Sequence, residues 1–152
     1  MTPFTILRTT PEHPDFITLV CLLDAELAVI DGEEHAFYAQ YNGTSNIKEA
    51  IVLYADNQPV ACGALKVLEP GIMEVKRMFT LPEWRGRGVA SSVLRALEQW
   101  AGDLGCHSCV LETGKRQEDA VHLYLKNGYA VIPNYGQYIG IENSVCFQKQ
   151  LT

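Results

Sequence analysis

The chain has 152 residues, 47% of them hydrophobic, with 12 Lys+Arg against 18 Asp+Glu and a formal net charge of −6. That length makes one domain, residues 1–152, with enough interior for a proper core, and the negative balance argues against nonspecific binding to nucleic acid. Met1 to Thr10 holds no charged run followed by an apolar one, and the most apolar stretch, Phe16 to Ile30, is interrupted by Asp24 and Glu26; neither a signal peptide nor a membrane span is expected, and a cytoplasmic location is.

In chain order, Phe4 to Arg8 reads as a first strand and Pro14 to Asp31 as a helix whose inner face is Phe16, Leu19, Val20, Leu23 and Leu27. Gly32 stops it. Glu33 to Asn42 reads as a short second helix. Ala50 to Ala55 and Val60 to Val67 read as strands joined by a polar turn with Asn57 and Pro59, and Glu69-Pro70-Gly71 turns the chain into a further strand, Ile72 to Thr80. A helix follows over Gly88 to Ala101, then a strand over Ser108 to Thr113 and a helix over Ala120 to Tyr124, with Gly128 as its left-handed cap. Tyr129 to Ile132 and Ser144 to Leu151 close the sheet. Five cysteines, an odd number, read as reduced cytosolic thiols. Cys106-His107-Ser108-Cys109 has no second ligand pair at zinc-like spacing, so no metal is expected and buried structural thiols are.

The informative segment is Arg85-Gly86-Arg87-Gly88-Val89-Ala90, between the strand ending at Thr80 and the helix through Trp100. Backbone N–H groups at a helix start have no intrahelical partner, and the helix dipole puts partial positive charge there, so an anion fits. Gly86 and Gly88 let the chain turn sharply and approach a ligand, while Arg85 and Arg87 are donors suited to phosphate. The segment lacks the Gly-Lys-Ser/Thr of a P-loop. The dinucleotide fingerprint wants Gly or Ala where Ser91 stands, although Glu112 supplies an acid at the end of the next strand. A dinucleotide-binding oxidoreductase is thus weakened and still open on these residues alone.

Arg-x-x-Gly-x-Ala at Arg85 to Ala90, preceded by Met78-Phe79-Thr80-Leu81-Pro82-Glu83, resembles the acetyl-CoA signature of the GNAT N-acetyltransferase superfamily. Gln117 to Tyr129, with Ala120-x-x-Leu123-Tyr124 and a closing Gly128-Tyr129, is similar to that superfamily's later helix. The resemblance implies an α/β fold with a mixed, partly antiparallel sheet flanked by helices in the order β-αα-βββ-α-β-α-ββ. It implies acetyl transfer from acetyl-CoA to a primary amine of a small molecule or peptide, by direct attack of the amine on the thioester. A noncatalytic acyl-CoA-binding or sensing domain is the alternative that retains the loop, and a homodimer is compatible with either.

The residues that match the family's positions follow. Met78, Phe79 and Thr80 fall where the strand would pair with the pantetheine arm, and Arg85, Gly86, Arg87, Gly88, Val89 and Ala90 where the pyrophosphate would lie. Gln117 stands where many members carry an Asn near the cofactor. An amine of lysine type, with pKa about 10.4, must lose a proton before it attacks; Glu74 is the candidate base, with an exposed strand carboxylate as the ordinary alternative. Tyr124 matches the tyrosine that assists the leaving thiolate. Residues 1–60 hold nine acids against Arg8 and Lys48, whereas Lys76 to Arg95 holds five cations against Glu83. A basic middle suits CoA, and the acidic first part suits a cationic acceptor near Glu26, His35, Tyr38 and Gln40. Lys76 or Arg77 holding an acceptor carboxylate would invert that charge argument.

Overall fold

In the computed structural model, which describes residues 4–32, 38–39 and 46–152, the chain runs β1 (Phe4–Thr9), α1 (Pro14–Asp31), β2 (Glu49–Ala55), β3 (Gln58–Glu69), β4 (Ile72–Thr80), α2 (Val89–Asp103), β5 (Ser108–Gly114), α3 (Glu118–Lys126), β6 (Ala130–Ile132) and β7 (Ser144–Gln150). The strands form one mixed sheet in the order β1-β2-β3-β4-β5-β7-β6. Pairing is antiparallel throughout except between β4 and β5. The second helix expected over Glu33 to Asn42 lies outside the described residues, apart from Tyr38 and Ala39, which are helical.

Strand alternation divides the core between two faces. On one face Met73, Val75, Cys109, Leu111 and Phe147 pack against Val89, Val93, Leu94 and Leu97 of α2 and against Tyr124 of α3. Full burial of a side chain such as Leu97 contributes about 1.5–3 kcal/mol. On the other face Ala50, Val52, Cys62, Ala64 and Phe79 take Phe16, Leu19 and Leu23 of α1, so the inner face expected for that helix is the one it buries. α1 starts cleanly because Pro14 occupies its first turn and His13 Nδ1 accepts from Asp15 N at 3.1 Å. No described helix is long and apolar enough to cross a membrane.

Two features of β4 position the site. Its parallel pairing with β5 covers only Ile72–Glu74 against Ser108–Val110, while β5 stays paired with β7 from Ser108 to Gly114. From Val75 onward β4 has no β5 partner, and the sheet opens into a cleft. Opposite, Arg77 and Met78 face the single Gly63 of β3, because Cys62 pairs with Phe79 and Ala64 with Lys76. This bulge puts Arg77 at φ +57° and adds local twist to the strand. Gly63 permits it: a Cβ there would lie 2.8 Å from both Met78 Sδ and Leu97 Cδ1.

Candidate active site

The opening between β4 and β5 continues into a cleft of ≈ 820 Å³, bounded by α1, the second half of β4, the loop before α2, the end of β5 and the start of α3. At its mouth Gly86 and Gly88 take φ +78° and +79°, a conformation that only glycine adopts without cost. Gly88 is the N-cap of α2 and offers no side-chain hydrogen bond to the amides of the first turn. The first backbone acceptor filled there is Gly88 O, by Ser92 N at 3.1 Å, so the N–H groups of Val89, Ala90 and Ser91 stand at the helix start without an intrahelical partner. A Cβ at Gly86 or Gly88 would meet no protein atom within 4 Å. The glycines thus leave open space beside unpaired donors, which fits an elongated phosphate-bearing molecule whose amides complete the unpaired edge of β4.

Of the candidate cofactor residues, Met78, Phe79, Thr80, Arg85, Gly86, Gly88, Val89, Ala90 and Gln117 line this cleft. Arg87 does not, and its guanidinium lies 4.8 Å from the Trp84 ring centroid instead. Arg85 is engaged within the protein: Nε donates to Thr80 O at 3.0 Å and an Nη to Glu26 Oε2 at 2.7 Å. Glu26, a candidate acceptor contact, therefore serves as a tether between α1 and the loop. Tyr38 lines the cleft and hydrogen-bonds Ser144 across 2.9 Å. His35 and Gln40 lie outside the described residues.

Tyr124, on α3, is 6% exposed and still reaches the cleft. Its ring is held by Tyr129 and Phe147, each with a centroid 5.9 Å away, and its hydroxyl makes no hydrogen bond among the described residues. Burial pushes its pKa well above that of an ordinary phenol, and the Glu112 carboxylate adds to the effect. The hydroxyl therefore keeps its proton throughout the neutral range and is free to donate it.

Glu74 is buried, at 3% exposure, in place of the exposed strand position that the sequence also allowed. Oε2 accepts from Tyr135 Oη at 2.6 Å, and Oε1 lies 3.9 Å from Lys76 Nζ. Glu112 entered the sequence reading only as the acid of a nucleotide fold. In the structure it lines the same cleft from β5, and its buried Oε2 has no hydrogen-bond partner among the described residues. Burial raises its pKa to about 7, against the opposing influence of the Ser144 hydroxyl and of Lys76. A carboxyl that ionises near neutrality with an unused oxygen can accept a proton, whereas one oxygen of Glu74 is already held by Tyr135. Nothing local in the sequence marks Glu112, since its burial comes from distant segments.

The bulge is braced from α1, where Asp24 Oδ1 accepts from the Arg77 guanidinium. That side chain is 2% exposed, so the ion pair keeps a charged group in the sheet interior and holds the strand in its irregular course.

Comparison with known proteins places this geometry in a family. Residues 16–129 match the model of the "Acetyltransferase (GNAT) family". An "IAA acetyltransferase" of Azospirillum brasilense is 32% identical over 150 residues, covering 97% of each chain. A Klebsiella pneumoniae crystal structure named for an acyl-CoA N-acyltransferase superposes with TM-score 0.82 at 31% identity, over 98% of each chain. A GNAT family acetyltransferase from Elizabethkingia anophelis with acetyl-CoA bound shares the fold, with TM-score 0.71 at 17% identity over 97% of this chain and 98% of that one. With a family match over most of its length and a full-length relative above 30% identity, the chain belongs to the GNAT family of N-acetyltransferases, which move an acetyl group from acetyl-CoA to an amine.

Proposed function

We propose that the acyl donor enters between β4 and β5, that Glu112 is the base for the acceptor amine and that Tyr124 is the acid for the departing sulfur. The parting of β4 from β5 after Glu74 and Val110 carries this reading, because it brings the phosphate-fitting loop, Glu112 and Tyr124 onto one cleft. Acetyl-CoA supplies an activated acyl group on a thioester. Met78 to Thr80 offer the strand backbone along which its amides would pair, and the amides of Val89 to Ser91 would hold its pyrophosphate. Gln117, at the N-cap of α3, lines the cleft from the other side.

The acceptor side lies on the α1 face of the sheet. There the Glu112 carboxyl takes the proton of an incoming ammonium, a transfer helped by a pKa near the working pH. Tyr124 Oη, kept protonated by its burial, donates to the sulfur. Glu74 has a supporting role in this scheme: bound by Tyr135 and facing Lys76, it fixes the polar wall beside the base.

The direct test follows thiol release from acetyl-CoA with a panel of amines, amino acids, peptides and polyamines; IAA belongs on the panel because of the name of the Azospirillum relative. Tyr124→Phe should lower kcat by roughly 10²-fold and leave the acetyl-CoA affinity measured by calorimetry unchanged. Unaltered turnover in that variant would remove Tyr124 from its assigned role.

A further inference from the structure

Lys76 stands two positions beyond Glu74, the last β4 residue paired with β5, and Glu112 stands two beyond Val110, the partner of Glu74. Side chains two apart on a strand share a face. The ammonium and the carboxyl therefore look out from one face of the sheet at the point where the strands part, and both line the cleft. Lys76 is 9% exposed, yet its Nζ donates no hydrogen bond among the described residues. The Glu74 carboxylate is 3.9 Å away, and its other oxygen is held by Tyr135. Burial lowers the Lys76 pKa in spite of that carboxylate and of Glu112, as happens when a desolvated cation is short of anionic partners. Three donors close to a cleft, none of them used, await an acceptor atom.

Taking the acetyltransferase reading above as given, we infer that Lys76 binds a carboxylate of the acceptor, which makes the substrate class amines of amino-acid type, with the carboxylate at Lys76 and the amine at Glu112. Neighbouring strands lie about 4.8 Å apart, and here they begin to diverge. Two groups on adjacent strands and one face are within reach of a single short acceptor that carries both an amine and a carboxylate. A phosphate dianion would meet stronger repulsion from Glu74 and Glu112 than the single charge of a carboxylate does. Arg77, the adjacent cation, is paired through an Nη with Asp24, and its buried Nε is without a partner among the described residues. Leu27, Ile30 and Tyr138 add an apolar and aromatic wall, suited to a hydrophobic side chain on the acceptor.

Matched acceptors test the inference: phenylalanine against phenethylamine, and methionine against its decarboxylated amine, each followed by thiol release from acetyl-CoA. Wild-type protein should favour the carboxylate-bearing member by roughly 10- to 100-fold in kcat/KM, the worth of a charge-assisted hydrogen bond. In Lys76→Met that ratio should collapse toward one through a rise in KM, with acetyl-CoA affinity by calorimetry retained as evidence of folding, and Lys76→Arg should restore part of it. Equal or better use of the decarboxylated amines by wild type, or an undiminished ratio in Lys76→Met, would overturn the inference and leave acetyl transfer standing. Absence of thiol release with every amine, or of acetyl-CoA binding by wild type, would bring down the underlying reading and this one with it. Should Lys76→Met fail to fold, the wild-type ratio alone decides.

Discussion

At Glu112 a single cause, burial without a full set of partners, bears on stability and on the proposed role as base alike. Its folded pKa of about 7 lies above the ordinary carboxyl value of 4.5. The stabilising contribution is therefore complete below about pH 4.5. It is lost as pH rises through about 7, because the unfolded chain ionises freely and the folded one resists. Glu112→Gln removes that penalty, and thermal unfolding should show the variant gaining about 1–3 kcal/mol on wild type at pH 8 and far less at pH 5. Catalysis moves the other way. The base must be ionised, so wild-type kcat should climb between about pH 6 and 8, and Glu112→Gln should abolish that limb with a loss of roughly 10²–10⁴-fold. A variant that kept both rate and limb would return the role to another group. Glu112 was legible in the sequence only as an acid near the end of a strand, since its environment is assembled from α1, β7 and Lys76 of β4, all remote in the chain.

Elements were legible to different depths, for reasons that the structure makes plain. α1 begins at Pro14 and ends before Gly32 as expected, because both residues act through their own backbone. The start of α2 was equally clear from Gly86, Gly88 and the periodic Val89, Val93, Leu94 and Leu97. The β4 bulge was hidden: a non-glycine residue at positive φ gives no signal, and the residue that makes room for it, Gly63, lies on another strand. Gly63→Ala should cost about 1–3 kcal/mol by overpacking and displace Met78, which denaturant unfolding of purified protein would register. Gly88→Ala offers a contrast. Its new methyl meets no protein atom, so unfolding should show only the ~1–2 kcal/mol of left-handed strain, while acetyl-CoA affinity should fall by far more than that strain implies. An affinity unaffected by the substitution would count against a ligand at this turn.

Across the whole molecule, the acidic first part and the basic middle do not face solvent as separate fields. Asp24–Arg77 and Glu26–Arg85 join them, tying α1 to β4 and to the loop, and Arg87 turns aside to Trp84. Two arginines of the basic middle are thus occupied within the protein, and in the proposed reading backbone amides are the main holders of the donor's phosphates. Calorimetry should accordingly find that raising KCl from about 0.05 to about 0.5 M weakens acetyl-CoA binding by less than about 10-fold, because close, partly buried contacts are screened less than exposed charges. A steep salt dependence would return the arginines to the role their positions first suggested.

If the donor pairs along the unpaired stretch of β4, its binding also stabilises the fold. A ligand that completes a sheet binds the folded chain and not the unfolded one, and at about 100 times its Kd it adds roughly 2.7 kcal/mol to stability. Amide exchange over Val75 to Thr80 should slow as acetyl-CoA is added, and resistance to proteolysis should rise with it. Unfolding of the donor-free chain would then begin where the sheet is least complete, and the donor would close that weak point as it binds.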